Sequence, residues 1–201
     1  MVLYPINSLS LNMDRYILLI IIIPLVFACK PSPIEKPNII LILTDAQGYG
    51  DLHNHGNDSI STPNLVYLAS ISFRINNFLV SPVCGPTRAS LLKCRYHLST
   101  GTSWVTRNAE MMSPSEVTLA ELLRSQGYRT GCFGKWHNGA HYPSDPIGQG
   151  FEVFTGFKAG HFTNYFDPVL DHAGTQKEFQ GYITDIITDE DVDFIERNKD
   201  T

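Results

Sequence analysis

The chain of 201 residues lacks a basic run: 15 Lys and Arg stand against 20 Asp and Glu, a formal net charge of −5. No stretch is suited to tracking a phosphate backbone, which argues against a nucleic-acid partner. The seven histidines are scattered, with neither His-Glu-x-x-His nor a paired metal-finger spacing, so a zinc site is not indicated. Internal repeats and low-complexity segments are also absent. Charged residues make up only 17% against 43% hydrophobic, an ordinary globular balance. At this length that composition supports one domain with a real core, or part of a larger one.

A full membrane span is missing as well. After Met13-Asp-Arg15 the apolar core Tyr16 to Ala28 falls short of the roughly 20 residues a comfortable span needs. A short charged region, an apolar core and a small residue before Cys29 is the layout of an export signal. Val26-Phe-Ala-Cys29 resembles a bacterial lipoprotein cleavage box, in which the cysteine becomes the lipidated first residue, and Met13 is then a candidate start. An N-terminal membrane anchor is the competing reading. The expectation is an exported protein, periplasmic or attached to the membrane through lipidated Cys29, with residues 1–29 as export segment, 30–36 as linker and 37–201 as the fold. Cysteine is scarce, four in all. Cys84, Cys94 and Cys132 remain beyond the signal, an odd number, so at least one is unpaired. A Cys94–Cys132 disulfide is one open pairing.

Along the fold, Pro37 to Thr44 is a continuous apolar run that fits a strand buried on both faces of a parallel sheet. It ends at Asp45, so this carboxylate is expected at the carboxyl edge of a central strand, where sites form in open α/β sheets. Thr62-Pro63 opens a helix to about Ser72. Phe73 to Val80 reads as a strand leading into Ser81-Pro-Val-Cys84. Cys84 stands at a plausible helix start, where backbone N–H groups, the helix dipole and Arg88 one turn on favour an anion or a thiolate. A buried structural cysteine is the plain alternative. Ser113-Pro-Ser-Glu116 and Thr118-Leu-Ala-Glu121 both have the capping-box spacing, and the second suits the apolar phase of a helix from Thr118 to Gln126. Tyr128 to Gly134 is strand-like and delivers Lys135 and His137 to a strand end. Residues 138–181, rich in Gly, Pro and aromatics, read as long loops able to wall a cleft. Tyr182 to Lys199 returns to helix, with Ile183, Ile186, Ile187, Phe194 and Ile195 inward and its acidic residues outward.

Asp45 as a loop cap, Lys135 as a solvated charge and His137 as a loop histidine are each reasonable alone. Together at strand ends they suggest a site. Here the chain resembles the sulfatases, the formylglycine-dependent branch of the alkaline-phosphatase-like superfamily. The resemblance rests on Pro37 to Asp45 with Gly48-Tyr-Gly-Asp51, Thr62-Pro-Asn-Leu65, Cys84-Gly-Pro-Thr-Arg88, Thr118-Leu-Ala-Glu-Leu-Leu123, and Gly127-Tyr-Arg-Thr-Gly131 followed by Gly134-Lys-Trp-His137. It implies a three-layer α/β/α fold with a mostly parallel central sheet, here truncated to its N-terminal part. It also implies arylsulfatase-like hydrolysis of sulfate esters.

In the family a maturation enzyme oxidises the motif cysteine to formylglycine, whose hydrate attacks sulfur. By position Cys84 is the formylglycine precursor and, once modified, a metal ligand. Arg88 steadies the hydrate, Lys135 contacts the sulfate, and His137 assists proton transfer. Asp45 matches a ligand of a divalent metal, usually calcium. The chain departs from the family at Ala46, where a second aspartate is usual, and at Lys93-Cys94, where Thr-Gly is usual. Family members are also longer, with further metal ligands beyond the point where this chain stops. The competing readings are a non-catalytic or decayed member and a phosphoester or phosphonate hydrolase of the same superfamily.

Overall fold

The computed structural model describes residues 36–200, and the export segment with Cys29 lies outside the described residues. The chain divides into two units, Met1–Leu41 and Ile42–Thr201. Of the first, only the irregular, exposed residues 36–41 are described. The second holds helices α1 (Pro63–Ser70), α2 (Cys84–Lys93) and α3 (Leu119–Ser125), strands β1 (Gly131–Lys135), β2 (Val153–Phe157), β3 (Val169–His172) and β4 (Thr175–Glu178), and helix α4 (Ile183–Asn198).

Local chemistry explains most helix boundaries. Pro63 opens α1, where its missing N–H has no intrahelical partner to lose. Thr118 caps α3 in a reciprocal box: Glu121 N–H donates to Thr118 Oγ1 at 3.1 Å and Thr118 N–H to Glu121 Oε2 at 2.7 Å. The alternative box at Ser113 starts no helix; that segment is a turn.

The four strands run in the order β1-β2-β3-β4. β1 and β2 are parallel, from Gly131 opposite Val153 to Lys135 opposite Phe157, while β2–β3 and β3–β4 are antiparallel. The described sheet is therefore mixed. Strand alternation sorts the core into two layers. Cys132 and Phe154 point to the face covered by α2, packing with Ala89, Leu92, Met112, Trp136 and Phe151. Phe133 and Phe157 point to the other face, against α4: Phe133 lies 5.6 Å from Phe194, ring to ring, and Phe157 joins Leu170, Ile183, Ile186 and Ile187. Helix, sheet and helix form the three-layer α/β/α arrangement. β1 and β2 approach closely at Gly134 and Gly156: a Cβ on Gly156 would sit 1.9 Å from the Gly134 carbonyl oxygen. Only a bare backbone fits that pair.

Four expectations are corrected. The apolar run 37–44 does not form a strand, and Ile42 is 80% exposed. Burial on both faces requires strand neighbours and two helix layers, and the described sheet is built entirely from later residues. Phe73 to Val80 is likewise irregular and exposed. Conversely, the loops expected over 138–181 contain β2, β3 and β4. The outward acidic face of α4 is only partly solvated: Glu190 lies against His172 of β3 and Lys177 of β4, and burial pushes the Asp191 carboxyl above its ordinary range.

The three described cysteines are free, so Cys94 and Cys132 are not bridged. Cys94 closes α2 in the left-handed region, φ 51°, where a side chain is strained and glycine is at ease. Cys94→Gly is expected to stabilise the protein by about 1 kcal/mol, read as a raised urea midpoint with an unchanged slope. A lowered midpoint would show that the thiol compensates the strain. Lys93, also a departure from the family pattern, is 5% exposed. Its ammonium donates to the Glu116 carbonyl, to Gln149 Oε1 at 3.0 Å and to the Ser113 carbonyl at 3.4 Å, stapling the end of α2 to the 113–116 turn.

Candidate active site

The structure brings together all five residues singled out in the sequence. Cys84 is the first residue of α2, and Val83 before it is extended and offers no side-chain cap. That end of the helix keeps its preference for a negative group. Lys135 ends β1, and His137 follows in the left-handed region, φ 63°, which turns its ring toward the helix. Cys84 Sγ lies 3.2 Å from His137 Nδ1, and His137 Nε2 lies 3.0 Å from the Val105 carbonyl oxygen. Because that carbonyl can only accept, Nε2 carries the proton and Nδ1 is free to accept one from the group at position 84.

The cations form the other half of the site. Arg88 Nη1 donates to the Lys135 carbonyl at 2.6 Å. Asp45 joins both charges, with Oδ2 2.8 Å from Lys135 Nζ and Oδ1 3.8 Å from Arg88 Nη2. Arg88 Nε is buried and has no acceptor among the described residues. Burial alone raises the Asp45 carboxyl, but the Lys135 hydrogen bond and the Lys135 and Arg88 charges outweigh it and hold the group below its ordinary 3.8. Burial lowers the Arg88 guanidinium, opposed by Asp45. Under α2, burial pushes the Cys132 thiol up to about 12, so it stays protonated beside the site.

Burial is also the main reason the His137 imidazole lies below its ordinary 6.5; Lys135 and Arg88 push the same way, and the Val105 bond and Glu110 oppose them. A group lowered in the folded state contributes stability that is complete above its unfolded value and lost as pH falls through its folded one. Stability is therefore expected to decline with acidification from pH 6.5 downward, and His137→Asn to flatten that limb in pH-dependent urea titrations. An identical limb in the variant would acquit His137. Asp45 adds a second window of the same sign, below pH 3.8.

Residues that sequence reasoning passed over position these groups. Asn138 is fully buried, and its Nδ2 donates at 3.0 Å to both the Gly85 and Glu110 carbonyls, tying the start of α2 to the end of β1. It directly follows the Gly-Lys-Trp-His run, so reading one residue further would have found it. Gly160 packs on the imidazole: a Cβ there would stand 2.3 Å from His137 Nε2. No sequence signal marked it, because the contact spans a loop.

Calcium takes about six to eight oxygen donors. The described residues supply Asp45, already engaged by two cations, and contain no group of three His, Cys, Asp or Glu able to hold a metal. Ala46, where a second carboxylate was sought, has φ 55° and contributes no donor. By themselves these residues do not fit a calcium site. What the arrangement can do is hold an anion between two cations and take a proton at Nδ1.

The chain is similar to several curated proteins. It is 37% identical over 143 residues to arylsulfatase H of Canis lupus familiaris, covering 63% of this chain and 25% of that protein. It is 40% identical over 133 residues to human arylsulfatase G, covering 63% and 25%, and 38% identical over 137 residues to human steryl-sulfatase, covering 61% and 24%. It thus spans about a quarter of the length of these relatives. Among solved structures, Ps i-CgsB matches with TM-score 0.73 and 30% identity over 81% of this chain and 42% of that one. BT4656, in complex with its substrate D-glucosamine-2-N,6-O-disulfate, matches with TM-score 0.69 and 32% identity over 81% and 31%. The sulfatase family model matches residues 37–201, the whole stretch that carries the site, and the chain belongs to the sulfatase family.

Proposed function

We propose that the intact protein hydrolyses sulfate esters at the Cys84 site. The observation that carries this reading is the junction of Cys84 with His137 on one side and the Arg88–Asp45–Lys135 group on the other. Oxidation of Cys84 to formylglycine by a maturation enzyme would supply an aldehyde hydrate, and with it the oxygen that attacks sulfur. The residues around it have separable tasks. His137 accepts a proton at Nδ1 because Val105 holds the proton on Nε2. Arg88 and Lys135 offset the charge that spreads over the sulfuryl oxygens, as cations do in phosphoryl transfer. Asp45 fixes both cations but competes with the incoming anion for them. A divalent cation through Asp45, calcium by resemblance, needs donors beyond those described, and no step is assigned to it.

A second reading, a binding-only member, is favoured by Ala46 and by the commitment of Asp45 to its two cations. Export, with lipid attachment through Cys29, is part of the proposal and rests on the sequence of residues 1–29.

The test is mass spectrometry of the Cys84 peptide after co-expression with a formylglycine-generating enzyme, alongside turnover of paired aryl sulfate and aryl phosphate esters and of a sugar sulfate. The expected result is conversion of the thiol to the aldehyde and preference for sulfate. An unmodified thiol with no turnover favours the binding-only reading. Faster phosphate turnover would make the protein a phosphoester hydrolase.

A further inference from the structure

We propose that the loop Ser103–Ala109 is a recognition wall of this site, in which Trp104 takes the face of a substrate ring and Arg107 takes a second anionic group on it. The proposal rests on the sulfate-ester reading and narrows it to esters of a ring bearing a further negative substituent, such as a disulfated sugar.

The loop is built into the site. Ser103 N–H and Trp104 N–H both donate to the Ala109 carbonyl, at 2.8 and 3.0 Å, and Ala109 N–H donates to the Thr106 carbonyl at 3.1 Å. Buried Thr102 and Met112 flank it and anchor its two ends. Its inner backbone meets His137 and Gly85, the residue that follows Cys84. The Val105 carbonyl holds His137 Nε2, and the Trp104 carbonyl lies 3.2 Å from where a Cβ on Gly85, the residue after Cys84, would stand. The loop therefore touches His137 directly and stands one residue away from Cys84.

Its outward chemistry has no structural use within the described residues. The Trp104 side chain is 55% exposed, whereas the other tryptophan of the sequence, Trp136, is 2% exposed in the core. An exposed indole beside a site offers a flat apolar face whose hydration is released when a ring covers it. Arg107 is exposed and has no ion-pair or hydrogen-bond partner among the described residues. A guanidinium presents paired N–H groups that match the oxygens of a sulfate. Arg107 and Asn108 also adopt φ of 60° and 65° in succession. They are the two central residues of the tight turn closed by the Ala109-to-Thr106 hydrogen bond, which sets Arg107 at the tip of the loop.

The experiment uses the intact protein in its unmatured thiol form, so that probes are bound and not consumed. Calorimetry and tryptophan fluorescence are followed with N-acetyl-D-glucosamine-6-O-sulfate and with D-glucosamine-2-N,6-O-disulfate. The expected result is about fivefold tighter binding of the disulfate, the scale of one exposed ion pair, a preference that vanishes in Arg107→Ala. The fluorescence change on binding is expected to disappear in Trp104→Phe. Binding of the monosulfate without preference for the disulfate, or a preference that survives Arg107→Ala, overturns this inference and leaves the sulfate-ester reading standing. Failure of the wild-type protein to bind either ester overturns both.

Discussion

Replacing Cys84 by alanine in the intact, matured protein is expected to abolish sulfate-ester turnover, a fall of about 10⁴-fold or more. The reasoning is geometric. Among the residues gathered here only position 84 combines a helix N-terminus, a proton acceptor at 3.2 Å and an adjoining pair of cations. Removing the side chain leaves binding and charge offset in place but no group to attack sulfur. His137→Ala keeps the attacking group and loses its proton acceptor, which typically costs about 10²- to 10⁴-fold. The two changes act on one step, so the double variant is expected to fall no further than Cys84→Ala alone. Steady-state kinetics on an aryl sulfate decides the matter: turnover surviving in Cys84→Ala would mean that another group is the nucleophile. Additive losses would mean that His137 serves a different step.

The second large effect is on stability. Trp136→Ala is expected to cost about 3–5 kcal/mol, much of the 5–15 kcal/mol that typically holds a domain together. Trp136 lies between Lys135 and His137 in sequence, yet its ring points into the core, edge-on to Phe151 with centroids 5.9 Å apart. Its indole N–H donates to the Ser144 carbonyl at 3.0 Å. Truncation therefore opens a cavity under α2 and strands a buried acceptor. Trp136→Phe keeps most of the volume and loses the hydrogen bond, so a smaller loss is expected. Urea denaturation of both variants reads the difference. Equal losses would locate the cost in the hydrogen bond and not in packing.

Trp136 also shows why part of this protein was legible in its sequence. Strand alternation sets Lys135 apart from the face that Cys132 and the Trp136 ring share and can be read residue by residue, whereas the left-handed backbone of His137 turns its ring and had no sequence signal. The start of α2 at Cys84, the Thr118–Glu121 box and the 183–198 helix were legible for the same reason: caps and helical periodicity act over a few residues. The strands β2 to β4 were not. Val153–Phe157 carries Thr155 and Gly156 in its middle, and the Gly is required by the close approach of the Gly134 backbone opposite, a contact the sequence does not show. The β3–β4 hairpin turns at Ala173-Gly174, both at positive φ, without the Asn-Gly or Asp-Gly pair that usually marks such a turn. The apolar run 37–44 erred the other way, since its composition describes a buried strand while burial depends on partners the run itself cannot supply.

By itself, then, the sequence singled out the residues proposed to carry the chemistry: Asp45, Cys84, Arg88, Lys135 and His137, of which Cys84 and Lys135 stand at element ends whose local signals were intact. Only the tertiary structure decided how they are used. It fixed the imidazole tautomer through Val105, committed Asp45 to two cations and not to a cluster of carboxylates, and set exposed Trp104 and Arg107 on the loop that holds His137. The physical reason is range. Caps, turns and periodicity are settled by neighbours within a turn or two, whereas a tautomer, an ion pair or a wall depends on groups tens of residues away that only the folded chain brings into contact.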